Sequence, residues 1–128
     1  MSADLEANKA VVVAFYNQML NDKDAEGAAA SYLGEQYVQH NPSAPDGAAG
    51  MVGFAQALYA KAPELRMEIK RVFADGDYVI THSHSVFAPG GPETAAADIW
   101  RLENGKIVEH WDVIQPIPAT AANSNTMF

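Results

Sequence analysis

The stretch from Thr81 to Gln115 constrains the fold more than any other, because it reads as three consecutive runs of alternating residues separated by turn signals. Successive side chains of a strand point to opposite faces, so this period of two predicts neighbouring strands with matched faces. The same stretch holds three of the four histidines, both tryptophans and two aspartates. The alternation puts His82 with His84 on one face, Asp98 with Trp100, and His110 with Asp112. Ionisable side chains on apolar strands are costly unless paired or used. These three sets are therefore expected to line one pocket.

The rest of the chain supplies a cover for such a sheet. At 128 residues it is expected to be one domain with a single core, 1–118, followed by a surface tail, 119–128. Residues 3–21 read as a helix with Leu5, Val12, Phe15, Tyr16 and Met19 on or beside one stripe, and Ser2 or Asp4 as its cap. A short Ala-rich helix over 25–33 follows, with Asp24 as N-cap and Gly34 as its stop. Tyr37–Pro42 is extended or turn, since Pro42 biases Asn41 away from helix. A third helix over 47–61 presents Met51, Phe54, Ala55, Leu58 and Tyr59 and ends before Pro63. From Leu65 the period becomes two, with a hairpin at Asp75-Gly76, a Pro/Gly turn at 89–92 and another turn at Asn104-Gly105. The expected architecture is α+β: three N-terminal helices on a strongly curved antiparallel sheet of four to six strands, a cone-shaped barrel with an internal pocket.

Charge narrows the partners. Sixteen acidic against eight basic residues give a net charge of −8, and the basic ones are scattered, which disfavours nucleic acid. The start, Met-Ser-Ala-Asp-Leu-Glu, lacks a basic and apolar leader, and no apolar run reaches the roughly 20 residues of a membrane span. With no cysteine, disulfides and thiolate metal sites are unavailable; a cytoplasmic location is expected.

Register decides which side chains meet. A loop of odd length at 89–93 sets His84 opposite Asp98, His82 opposite Trp100 and Val86 opposite Ala96, with Tyr78, Ile80, His82, His84 and Val86 facing inward. Directly opposed Cβ atoms are roughly 4.5–5.5 Å apart, close enough for an imidazole to bond a carboxylate. Val79, Thr81, Ser83 and Ser85 then form a half-polar outer face, open to a subunit partner. At Asn104-Gly105 two registers remain open: a two-residue loop brings Trp111 opposite Asp98, and a three-residue loop with a left-handed Gly105 brings His110 there. His82-Ser-His84 with His110 and Asp112 has ligand types suited to zinc or iron, but the spacing is weakly specific; no metal and no cofactor is assigned. Nucleophile elbows and phosphate loops are absent.

Tyr37-Val-Gln-His-Asn-Pro42 together with Asp98-Ile-Trp-Arg-Leu-Glu-Asn-Gly-Lys-Ile-Val-Glu-His-Trp-Asp-Val113 resembles the SnoaL-like polyketide cyclases. They belong to the wider superfamily of ketosteroid isomerase, limonene epoxide hydrolase and nuclear transport factor two. The resemblance implies a curved-sheet cone with a deep pocket, a homodimer through the sheet, and the three-residue turn that puts His110 and Asp112 inward. It also implies ring closure by aldol chemistry, with Asp98 as acid/base and His84, fourteen residues before it, as its partner. The arginine that epoxide hydrolases place two residues before the aspartate is Ala96 here, which argues against that chemistry. His40 or Asn41 stands where a steroid isomerase has its base. The expected activity is therefore cofactor-independent proton transfer on a small, partly apolar carbonyl compound, by cyclisation or isomerisation. Asp98 and His84 would be catalytic. Tyr16, Tyr37, His40, Asn41, Phe54, His82, Trp100, His110 and Asp112 would contact the substrate. The alternative is a non-catalytic module that holds a small ligand in the same cone.

Overall fold

The computed structural model describes residues 4–128. Three helices, α1 (Leu5–Leu20), α2 (Ala25–Tyr32) and α3 (Gly47–Lys61), cover a five-stranded sheet of β1 (Leu33–Gln39), β2 (Arg66–Asp75), β3 (Tyr78–Val86), β4 (Glu93–Glu103) and β5 (Lys106–Pro116). The strand order is β1-β5-β4-β3-β2, with β1 parallel to β5 and every other pair antiparallel. The α+β architecture of three helices on a sheet of four to six strands is as expected; the sheet is mixed rather than wholly antiparallel, because β1 runs parallel to β5, and it is open, with β1 and β2 as its edges.

The helix starts follow from their caps. Asp4 accepts from the Ala7 N–H at 3.0 Å and Asp24 from Gly27 at 3.0 Å, each satisfying a free first-turn donor. Ser2 and the proposed helical Ala3 lie outside the described residues. Asp46 precedes α3 but spends its carboxylate on the Gln39 N–H at 2.7 Å, so it fastens α3 to the end of β1. Gly34 is not a helix stop: α2 ends at Tyr32, and Gly34 is already in β1. A Cβ there would meet the Val108 side chain at 2.9 Å, so this glycine serves the close approach of β1 to β5. Asn21 closes α1 onto the edge strand by exchanging two bonds with the Met67 backbone, at 2.8 and 2.7 Å.

Two expectations about register fail. Phe87 N–H bonds Pro92 O at 3.0 Å, leaving the even loop 88–91, and Val86 pairs with Glu93. The even loop reverses the parity of the whole hairpin. His84 lies opposite Ala95, His82 opposite Ala97, and Asp98 opposite Thr81. Val79, Thr81 and Ser83 are fully buried, whereas Tyr78, Ile80, His82, His84 and Val86 face outward. The small inner residues of β3 make room for the large residues that fill the core from α1 and β4. Phe15 and Tyr16 pack edge-on against Trp100 with ring centroids 5.7 and 5.1 Å away, and the Trp100 indole N–H donates to Thr81 Oγ1 at 3.1 Å.

The β4–β5 hairpin takes neither expected register, since neither Trp111 nor His110 lies opposite Asp98. Asn104 and Gly105 have φ of 52° and 76°, the left-handed pair of a two-residue turn, and Glu103 pairs with Lys106. A bulge follows, because Leu102 pairs with Ile107 while Arg101 pairs with Glu109, leaving Val108 as the extra residue. The bulge moves the register by one. His110 now faces Trp100, Asp112 faces Asp98 directly, and Trp111 faces Ile99.

Beyond Pro116 the chain has no regular structure; Ile117 is half-buried, and 118–126 are exposed up to the half-buried Met127 and Phe128. The Phe128 ring stacks on His84 on the outer sheet face, at 4.5 Å between centroids.

Candidate functional site

A cavity opens between α1, α3 and the inner face of the sheet. Tyr16, Tyr37, Asn41, Phe54, Asp98, Trp100, His110 and Asp112 line it. At its centre is Asp98, only 1% exposed, whose two oxygens are both engaged. Tyr16, reaching in from α1, donates its hydroxyl to Asp98 Oδ2 at 3.0 Å, and His110 Nε2 lies 2.8 Å from Oδ1. The His110 ring is held against Trp100, 4.2 Å between centroids.

Backbone donors identify the proton on His110. Gln39 Oε1 accepts the Asn41 N–H at 2.9 Å, which fixes that atom as the amide oxygen. It also lies 2.8 Å from His110 Nδ1, so Nδ1 must carry hydrogen to donate. One proton then remains for the line between Nε2 and Asp98 Oδ1. It can rest on the carboxyl beside a neutral imidazole, or on the imidazole beside a carboxylate. Burial raises the Asp98 carboxyl above its ordinary range; the hydrogen bond and charge of His110 work against this, and Asp112 adds to it. Burial, then the charge of Asp98, pushes the Tyr16 hydroxyl well above its usual value, so it remains a donor. Burial acts in the same direction on Tyr37, which receives Gln39 Nε2 at 3.1 Å.

The second carboxylate is held separately. Asn41 Oδ1 accepts from the Ser43 N–H at 2.8 Å, which turns Nδ2 toward both oxygens of Asp112, each at 3.0 Å. Asp98, His110 and Asp112 each offer a ligand atom within 4.8 Å of the others, the one such group among the described residues. A divalent cation there would displace the proton shared by Asp98 and His110 and compete with the donors from Tyr16 and Asn41.

Three expected site residues lie elsewhere, and the pairing of His84 with Asp98 is not formed. His84 is on the outer face, bonded through Nε2 to Glu93 at 2.6 Å. His82 is on the same face, beside Arg71 Nη1 and the Phe128 ring. His40 stacks on Trp111 with ring planes 4° apart, and its Nε2 bonds Glu109 at 2.7 Å. For His82 and His84 the cause is the even 88–91 loop. For His40 it is strand alternation in β1 and beyond, where Tyr37, Gln39 and Asn41 take the inner side. That alternation would have pointed to Gln39, a polar lining residue absent from the expected set. Ser85 and Thr94, paired across β3 and β4, also line the cavity, through the same inverted parity.

The sequence profile of the SnoaL-like domain matches residues 12–110. The chain belongs to the SnoaL-like family. A comparison with curated proteins finds no match. Among solved structures, a candidate polyketide cyclase from Bacillus cereus ATCC 10987 superposes with a TM-score of 0.74 at 22% identity, over 84% of this chain and 74% of that one. A candidate ketosteroid isomerase from Kribbella flavida DSM 17836 gives 0.73 at 18% identity, over 96% and 86%. IdmH, a candidate polyketide cyclase from Streptomyces antibioticus, gives 0.68 at 22%, over 84% and 91%. At these identities the likeness is one of fold. Among the described residues, no helix of this SnoaL-like chain is long and apolar enough to cross a membrane.

Proposed function

We propose that this SnoaL-like protein is a cofactor-independent enzyme that moves a proton at the carbon next to a carbonyl, in an aldol-type cyclisation or an isomerisation. The observation that carries the reading is the buried Asp98 held between Tyr16 and His110, one on each carboxyl oxygen. As carboxylate, Asp98 takes the α-proton and leaves an enolate; as acid, it returns that proton to carbon or oxygen. A raised carboxyl value brings it toward the working pH, which suits both halves of the cycle. His110 Nε2 holds Asp98 Oδ1 at 2.8 Å, and Asn41 and Gln39 fix the neighbouring groups so that little must reorganise. Purely passive binding has little use for a buried carboxyl engaged on both oxygens, so the catalytic reading is preferred to a ligand-holding module. We also propose a cytoplasmic homodimer, joined through the outer sheet face, where Tyr78, Ile80, Ile99 and Val113 are exposed.

The test is exchange of α-protons of a small cyclic ketone into deuterated water, followed by NMR. The wild type should accelerate exchange, and Asp98→Asn should remove the acceleration while its folded spectrum persists. Exchange retained by a folded Asp98→Asn protein would reject the role of Asp98.

A further inference from the structure

We infer that the substrate is an uncharged carbonyl compound of one ring or two fused rings, with its polar group at one end of an apolar body. The inference rests on the proton-transfer reading of Asp98 and adds what the walls around it admit. The hollow measures about 180 Å³ within its walls; counting the open mouth and the solvent before it gives about 830 Å³, so the smaller value sets what can be enclosed. An apolar cavity of roughly 150 Å³ holds one benzene. The room here exceeds that by about 30 Å³, roughly one water's share of liquid volume, so one ring is enclosed and a second reaches into the open mouth, while a third or fourth would lie outside the walls.

Polarity is divided along the cavity. Tyr16, Asp98, His110, Gln39, Asn41 and Asp112 form one contiguous hydrogen-bonded group. Most of the remaining wall is apolar, with Met19, Leu20, Met51, Phe54, Leu58 and Ile114. A carbonyl therefore belongs against the polar group, and the rest of the molecule against these side chains.

Charge is the third constraint. No lysine or arginine lines the cavity, whereas two carboxyl groups do, and the imidazole is already engaged by Asp98. A carboxylate or phosphate entering would lose its hydration beside like charges and gain no counter-ion. The chain's net charge of −8 opposes such ligands at a distance as well.

The experiment is calorimetric titration of the full chain at neutral pH with four probes, and proton exchange with the two ketones among them. β-Tetralone is the neutral two-ring ketone, β-naphthol a planar mimic of its enol, β-naphthoate an anion of the same size, and androstenedione a four-ring neutral ketone. The first two should bind, and β-naphthoate and androstenedione should each bind about tenfold more weakly or worse. Equal binding of the anion or of the four-ring ketone, or binding by neither of the first two, overturns the inference. Asp98→Asn separates the two readings. Loss of exchange with β-tetralone binding kept supports both. Exchange kept by that variant removes the proton-transfer role but leaves the size and charge selection standing. Wild-type exchange of androstenedione as fast as of β-tetralone removes the size selection and leaves the role of Asp98.

Discussion

Asp98 concentrates the chemistry because its burial and its hydrogen bonds pull its proton affinity in opposite directions. Tyr16→Phe removes one of the forces that lower it, the bond to Oδ2. The acid limb of the pH–rate profile should then move to higher pH, with kcat down about ten- to hundredfold and KM little changed. An unmoved limb would mean that Tyr16 does not act on Asp98. Stability carries the same sign. A carboxyl raised in the folded chain favours folding in its protonated form; that contribution is complete below the unfolded value, about 3.9, and is lost as pH rises through the folded value. Asp98→Asn has no such dependence. Its urea midpoint should therefore gain on the wild type as the pH is raised across that window, and a constant difference would show that Asp98 is not raised.

Elements carry these residues to the site, and hairpin loops decide which side chains arrive. The three helices, the sheet strands from Arg66 onward and the Asp4 and Asp24 caps were legible because periodicity and caps are local signals. The inward side of His110 and Asp112 followed only from the family resemblance, because the Asn104-Gly105 turn by itself left two registers open. The face of β3 was not legible, since Pro89-Gly90-Gly91-Pro92 is compatible with odd or even loops, and one residue turns every side chain over. Tyr78, Ile80 and Val86 look like a core face, yet the core selects Val79, Thr81 and Ser83 because Trp100 and Phe15 already occupy the volume. The β1 pairing was hidden by its parallel partner lying far along the chain. The bulge at Val108 has no sequence mark, although it sets the pairing of Asp112 with Asp98. Gly105 is the point where this register begins. A Cβ there meets nothing within 4 Å, so Gly105→Ala should act through its φ of 76° alone. The expected loss is about 1–2 kcal/mol by chemical denaturation, with the cavity network unchanged by NMR. No loss would mean that the turn relaxes without strain.

The whole molecule divides its two surfaces by strand parity: the inner positions of β3, β4 and β5 meet the cavity and core, and the alternate ones meet the outside. Ile80 and Ile99 pair across the outer face, Ile99 pairs onward with Trp111, and Val113 beyond them is 75% exposed. The tail leaves most of this patch open: Phe128 lies over His82 and His84, and Met127 shares a shallow hollow with Val113 without covering it. An apolar surface of branched side chains on neighbouring strands is a burden to a free monomer and a fit for its own two-fold copy. Val113→Glu puts a charge into that patch without touching a cavity-lining residue. In sedimentation equilibrium the wild type should behave as a dimer, and the variant should dissociate about tenfold more readily or worse. α-Proton exchange per chain should stay unchanged, because Asp98, Tyr16 and His110 all belong to one chain. A wild type that sediments as a monomer would remove the proposed interface. Exchange lost together with the dimer would show that the partner helps to hold the cavity in shape, and that the division between the two faces is not a division of function.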